Sequence, residues 1–347
     1  MKKVERVTIV GGGLSGLALG LRLRRLGVAC DVWEVQGYPR HRVCGEFLSG
    51  RGRQVLAELG VLSRVEEEGG VMGRSVAFFS ARGAAGRGEL PEPALCVSRY
   101  RLDAILAEAL VAEGGVLRVG QRFVDAMNVP GVVRATGREP RTEDGGWRWL
   151  GLKAHALGAE LSADLEMHFH ADAYVGLCRV EGGRVNVCGL FRSRTPLSDL
   201  RQTWRERLRG IQGSPLWERL RKVEFDESSF CAVAALPLRP GRMAATDEVR
   251  IGDGCGMIPP VTGNGMSIAL ESASLAAPRL AAWSRGEASW ESVRSAVRDD
   301  WEKTFGRRLQ WAGALQTAVM NPVVLRWWGM LFPVLPGLWR AAYFRTR

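Results

Sequence analysis

The apolar run Val7-Thr8-Ile9-Val10 leads straight into Gly11-Gly12-Gly13-Leu14-Ser15-Gly16, and this junction constrains the chain more than any other feature. Glycines spaced Gly-x-Gly-x-x-Gly fit a strand that turns tightly into a helix: Gly11 allows the turn, Gly13 lets backbone approach a pyrophosphate, and Gly16 permits close helix-strand packing. The flanking pattern agrees. Val7 to Val10 reads as a buried parallel strand, Leu14 to Leu26 as a helix closed by Gly27, and Ala29 to Val35 as the second strand of a β-α-β unit. Glu34 closes that strand, where a carboxylate accepts both hydroxyls of an adenosine ribose and repels a 2'-phosphate. Gly11, Gly13, Ser15, Gly16 and Glu34 are therefore expected to hold a dinucleotide, FAD or NAD. A ligand-free turn would leave unexplained three small residues that weaken a helix start.

The rest of the chain gives that unit company. At 347 residues, 46% hydrophobic and 24% charged, it is globular in composition and long enough for two structural units. The N-terminus lacks a signal-type apolar segment, so the cytoplasm is the expected compartment. Seven scattered cysteines without a C-x-x-C pair suggest reduced thiols rather than a disulfide framework or zinc site. His168 and His170 could share a strand face, but no third ligand lies near them in sequence, so no metal is expected.

Leu95 to Gly115 combines a short apolar stretch with a helix, and Val129 to Arg138 a short strand with a glycine turn. From Trp147 to Phe191 the pattern changes to alternating strands, with Gly182-Gly183 as a hairpin, which predicts an antiparallel sheet. A helix containing LRQTWRERLRGI follows. Asp247 to Trp283 returns to a strand, a glycine-proline loop and a long helix. The glycine-rich ARGAAGRGEL reads most simply as a surface loop.

Ile251 to Glu271, IGDGCGMIPPVTGNGMSIALE, resembles the second flavin motif of the p-hydroxybenzoate hydroxylase superfamily at Gly252, Asp253, Pro259 or Pro260, Gly263 and Gly265. The resemblance implies FAD: Asp253 on the ribityl chain, and Pro260, Gly263, Asn264, Gly265 and Met266 facing the isoalloxazine from a loop and helix N-terminus. Free N-H groups and a positive dipole suit the flavin N1/C2=O region, which becomes negative on reduction. SRYRLD resembles the family's R-x-x-x-D helix start and implies an FAD contact from Arg99; otherwise Arg99 is an ordinary surface arginine. PRHRVCGEFLSG falls where the family places a loop near pyrophosphate and flavin, implying roles for Arg42, Cys44 and Gly45, and its Cys-Gly-Glu form looks most like the geranylgeranyl-reductase branch. Arg134 to Arg138 resembles a strand-end A-x-G, with Thr136 where Asp is commoner. Cys44 is either a thiol that shapes or acidifies the flavin pocket or a small residue in a crowded loop.

The fold so implied is α/β: a Rossmann-like FAD-binding domain of glutathione-reductase type over 1-140 and 241-285, an antiparallel substrate domain over 141-240, and C-terminal helices over 286-347. The chemistry belongs to the cofactor. A reduced flavin can add oxygen at C4a and hydroxylate an electron-rich ring, or deliver hydride to a carbon-carbon double bond; NAD(P)H or another external donor would reduce it. The aromatic-x-Phe-Pro signature associated with prenyl reductases is not evident in residues 141-240, which tilts the expectation toward hydroxylation of a phenolic or polyketide-type ring by a monooxygenase. GWRW at Gly146-Trp149 matches half of a flavin-halogenase motif by coincidence, and Lys153 reads as a solvated strand lysine. A flavin-fold protein that binds membrane without turnover is a further alternative.

The formal charge of +11 suits a nucleic-acid binder, but its distribution does not. From Lys303 to Arg347 there are seven basic residues and no Asp or Glu, interleaved with tryptophans. Trp327 to Trp339 is uncharged, too short to span a bilayer and broken by Pro333 and Pro336. It suits either an interfacial segment or a lid over the substrate domain, and both imply a lipophilic small-molecule substrate.

Overall fold

The computed structural model describes residues 5-124, 129-138, 146-195, 200-236, 238, 248-325 and 337-347. Strand β1 (Val7–Val10) enters helix α1 (Leu14–Arg25), which returns to β2 (Cys30–Glu34). With β6 (Val116–Val119), β7 (Val132–Arg134) and β13 (Val249–Arg250) these form a five-stranded sheet in the order β13-β7-β1-β2-β6. All its pairings are parallel, and the inner strands β1 and β7 are apolar because both faces are covered, whereas the edge strand β6 is partly exposed. The covering helices are α1, α4 (Arg99–Ala112) and α7 (Gly265–Ser284), which bury Leu17, Leu21, Leu106, Leu110 and Leu280 against Val7, Ile9 and Val32.

The second sheet has eight strands in the order β12-β8-β11-β10-β9-β4-β5-β3. It is not confined to 141-240. Strands β8 (Arg148–Leu157), β9 (Leu165–His170), β10 (Ala173–Arg179), β11 (Val185–Ser193) and β12 (Glu224–Ala234) come from that region, but β3 (Phe47–Leu48), β4 (Val71–Ser80) and β5 (Gly83–Cys96) precede α4. The glycine-rich stretch read as a surface loop is thus the start of β5, paired with β4 through Gly83, Ala84, Gly86, Arg87 and Gly88. Composition misleads there because cross-strand pairing decides strand formation as much as side-chain propensity does. Gly182 and Gly183 make the turn between β10 and β11, both at positive φ.

One face of this sheet packs on α5 (Leu200–Arg209) and α6 (Pro215–Leu220), through Trp204, Leu208, Leu216 and Leu220. The other face looks toward the parallel sheet and is roofed by α8 (Trp290–Val319) and α9 (Gly337–Arg345). The sheet pleat sends alternate residues to each face, so Leu150, Leu152 and Ala154 join the α5/α6 core while Gly151, Lys153 and His155 face inward. No described helix is long and apolar enough to cross a membrane.

Candidate active site

A cavity of about 1070 Å³ lies between the two sheets. At one end are the turns of the parallel sheet. A Cβ on Gly11, at φ 110°, would lie 2.3 Å from the Ala135 carbonyl oxygen, and one on Gly16 would lie 1.9 Å from the Gly11 carbonyl oxygen. At both positions the backbones touch because a side chain is lacking. Gly13 differs: its nearest neighbour is an Arg99 nitrogen at 4.0 Å, so open space fronts the α1 N-terminus, where no side chain caps the free N-H groups. This is the cradle a pyrophosphate requires. Ser15 lines the cavity beside Gly252.

Glu34 also lines the cavity, and its carboxylate is already well held. Oε2 accepts from the Gly12 N-H at 2.9 Å and pairs with Arg40 at 2.8 Å, and Oε1 accepts from the Gln36 N-H at 3.0 Å. Burial raises its pKa, but the Gln36 N-H, Arg40 and the Gly12 N-H outweigh this and keep it below the usual carboxylate range. Arg42 stands 3.6 Å from both Glu34 and Asp103. Arg99 is no surface arginine: it is bidentate to Asp103, at 2.7 and 2.8 Å, with its guanidinium turned toward Gly13. The sequence offered Arg99 and Arg42 but gave no sign of Arg40 or of the Tyr38 hydroxyl, which donates to the Gly12 carbonyl.

The strand-end loop after β13 supplies the middle of the cavity. Asp253 lines it, its carboxyl pushed up by burial despite Arg138 and Arg99 nearby. Pro260, Gly263, Gly265 and Met266 line it as well, with Gly263 in the left-handed region at φ 62°. Asn264 is the N-cap residue of α7 and is fully buried, but its side chain does not cap the helix: Nδ2 donates to the Thr346 carbonyl at 2.6 Å, leaving Oδ1 without a partner. The α7 N-H groups therefore face the cavity uncapped. The residues fit FAD: an uncapped helix start and glycine cradle for the pyrophosphate, Glu34 at the adenosine end, Asp253 midway, and a second uncapped helix start beyond it.

Cys44 and Gly45 border the same space, and the Cys44 carbonyl accepts from Asn186 Nδ2 at 3.0 Å. Burial raises the Cys44 thiol pKa above its ordinary value. The adjoining Glu46 is the centre of a buried network. It sits at φ 53°, unusual for a residue with a side chain, and is fully buried. Oε1 accepts from the Arg99 N-H at 3.0 Å and lies 3.2 Å from Lys153 Nζ; Oε2 accepts from His155 Nε2 at 2.7 Å. Lys153 in turn donates to His41 Nδ1 at 3.1 Å. Burial raises the Glu46 pKa, and His155 and Lys153 more than reverse that, holding it ionised. Burial and the Lys153 charge push His41 down to about 4.

The expected solvated strand lysine is thus 0% exposed. The one sequence sign was Lys153-x-His155 in an alternating strand, which places two nitrogen-bearing side chains on one face. His41, Glu46 and His155 offer three ligand atoms within 4.8 Å of one another, and Lys153 Nζ already contacts two of these residues, Glu46 and His41. The other pair, His168 and His170, faces α6 instead. His168 is tied to Glu166 at 3.0 Å, and Glu166 to Arg219 at 3.2 Å.

The far end of the cavity is apolar. Phe78, Leu90, Met167, Phe169 and Tyr174 line its sheet side, and Gly176 leaves room between strands. Trp339 and Tyr343 of α9 close it from above, packing on Val76 and Phe78. Of the tail, α9 thus borders the cavity, whereas Trp327 to Pro336 lie outside the described residues.

Residues 5-145 match a family model described as an FAD binding domain. This chain is similar over 99% of its length to the flavin-dependent brominase Bmp2, with TM-score 0.76, 17% identity and 93% of that chain covered. It is likewise similar to the p-nitrophenol 4-monooxygenase PnpA from Pseudomonas putida DLL-E4, with TM-score 0.73, 15% identity and coverage of 99% of this chain and 96% of that one. A stretch of 124 residues, 35% of this chain, is 26% identical to Conditioned medium factor receptor 1 of Dictyostelium discoideum and spans 24% of that protein. The class is thus a flavoprotein with an FAD-binding domain, its whole-chain fold shared with that brominase and that monooxygenase. More narrowly, it has the p-hydroxybenzoate hydroxylase-type fold, with an FAD domain joined to an antiparallel sheet.

Proposed function

We propose that the chain is a monooxygenase that hydroxylates a lipophilic small molecule, of phenolic or polyketide type, with an external donor such as NAD(P)H as reductant. The observation that carries this reading is one continuous cavity, in which a dinucleotide cradle opens directly onto an apolar chamber roofed by Trp339 and Tyr343. FAD, when bound, supplies the electron transfer and oxygen activation.

The protein's part is to hold, orient and shield. Gly11, Gly13, Ser15 and Gly16 with the α1 N-H groups take the pyrophosphate, assisted by Arg42 and Arg99; Glu34 takes the ribose, and Asp253 the ribityl hydroxyls. Pro260, Gly263, Asn264, Gly265 and Met266 present the α7 N-terminus to the flavin ring, where its dipole favours negative charge. Cys44 and Gly45, fixed by Asn186 and by the Glu46 network, form the opposite wall. Apolar walls and the α9 roof exclude water from the reacting centre.

Double-bond reduction of an isoprenoid-type substrate is the second reading, favoured by the Cys44-Gly45-Glu46 element bordering the cavity. Halogenation draws no support from Lys153, whose ammonium is engaged by Glu46 and His41. Turnover of a panel of phenols and polyprenyl compounds under labelled dioxygen separates the two readings. Hydroxylation places one labelled oxygen atom in the product. A product that gains only two hydrogens, formed equally well without oxygen, would overturn it.

A further inference from the structure

The outer face of α9, together with the adjoining face of α8, exposes aromatic side chains among cations. On α9 the inward residues Trp339 and Tyr343 roof the cavity, and the outward residues are Arg340, Phe344 and Arg345, Phe344 being 58% exposed. On α8, Trp311 is 45% exposed one turn beyond the exposed Arg307. The Arg345 guanidinium lies 4.2 Å over the Trp311 ring, which sets the two outer faces side by side. Arg308 on the same helix is neutralised by Glu271 at 3.0 Å, whereas Lys303, Arg307, Arg340 and Arg345 have no carboxylate partner among the described residues. No Asp or Glu occurs from Lys303 to Arg347, so the stretch itself supplies no partner for them.

From this geometry we infer that the α8/α9 face docks on an anionic lipid bilayer. Aromatic side chains exposed among unpaired cations suit the headgroup layer, where rings sit at the interface and cations meet lipid phosphate. The location supports the same occupant, because one helix presents its outer side to solvent and its inner side to the apolar chamber. A lipid-soluble molecule leaving the bilayer would meet the chamber across the thickness of a single helix. The docking stands on the surface alone and goes beyond the proposed reaction, so either can fail without the other.

The test is cosedimentation of the FAD-loaded full chain with vesicles of phosphatidylcholine alone and of equimolar phosphatidylcholine and phosphatidylglycerol. Binding is expected only to the anionic vesicles, and to weaken with added salt. Arg340→Gln/Arg345→Gln should lower the partition coefficient about thirtyfold, each cation near an anionic surface contributing about fivefold. Trp311→Ser/Phe344→Ser should weaken binding even in high salt, where the charges are screened. FAD content and thermal midpoint, expected to stay at wild-type values, report that these surface variants are folded. Failure of the wild type to bind anionic vesicles would overturn the inference. So would vesicle binding unchanged by the double glutamine variant, or those substitutions abolishing retention on duplex DNA while sparing vesicle binding.

Discussion

Replacing Lys153 by Met tests whether the buried network holds the cavity wall in place. The substitution nearly preserves volume and removes the ammonium 3.2 Å from Glu46 Oε1. At an effective dielectric near 20, a pair at that separation interacts by about 5 kcal/mol, and removing one partner of a buried pair typically costs about 3 to 5 kcal/mol. Glu46 keeps its hydrogen bonds from the Arg99 N-H at 3.0 Å and His155 at 2.7 Å, so the lower end, about 3 kcal/mol, is expected. Glu46→Gln/Lys153→Met removes both charges and should recover about 2 kcal/mol of that loss. Urea unfolding of wild type, both single variants and the double variant measures the coupling, with equal denaturant slopes required for the comparison. FAD titration of the same proteins reports on the wall itself, because Glu46, at φ 53°, is held by this network beside Cys44 and Gly45. A Lys153→Met loss below about 1 kcal/mol, or single-variant losses that simply add, would show that Lys153 and Glu46 are not coupled.

Gly11→Ala places a Cβ 2.3 Å from the Ala135 carbonyl oxygen at φ 110°, and should leave a protein that purifies without FAD; a yellow, fully loaded variant would contradict the cradle. Glu166 has its pKa raised by burial but lowered overall to about 2 by His168, Ser162 and Arg219, so it contributes stability above its ordinary value of 4.5 that is lost as pH falls from there toward 2. The contribution is about 3 kcal/mol at neutral pH, and Glu166→Gln should flatten the acid limb of a thermal-midpoint profile over that window. Trp339→Ala removes the chamber roof and should speed both entry and exit of an apolar ligand in stopped-flow flavin fluorescence; unchanged rates would show that the ligand takes another path.

The parallel sheet was legible because its determinants are local: an apolar run, glycines at fixed spacing and an acid at a strand end. Asp253 and the loop to Met266 were legible for the same reason, as one contiguous motif. The eight-stranded sheet was half legible. Strands β8 to β11 alternate visibly, but β5 starts in a glycine-rich stretch that becomes a strand by pairing with β4, and composition does not encode that partner. The network around Glu46 was hidden for a topological reason. His41, Glu46, Lys153 and His155 come from a loop, a strand edge and an interior strand more than 100 residues away, and nothing in Lys153's own neighbourhood marks it as buried. The tail was legible as apolar and basic, but its division of labour needed the helix, which turns Trp339 and Tyr343 inward and Arg340 and Phe344 outward.

In the proposed function, one cavity holds FAD at one end and a lipophilic substrate against it at the other. A flavin difference spectrum, recorded as an apolar phenol is titrated into the FAD-loaded chain and into its Gly176→Leu variant, tests this most directly. Gly176 lines the chamber beside Met167, with the nearest atom 3.3 Å from a Cβ placed there, so leucine fills the chamber without reaching the dinucleotide cradle. Stoichiometric FAD is expected in both proteins, with a saturable, ligand-induced shift of the flavin bands in the wild type alone. A spectrum that no ligand perturbs, or one perturbed equally in the filled variant, would contradict it.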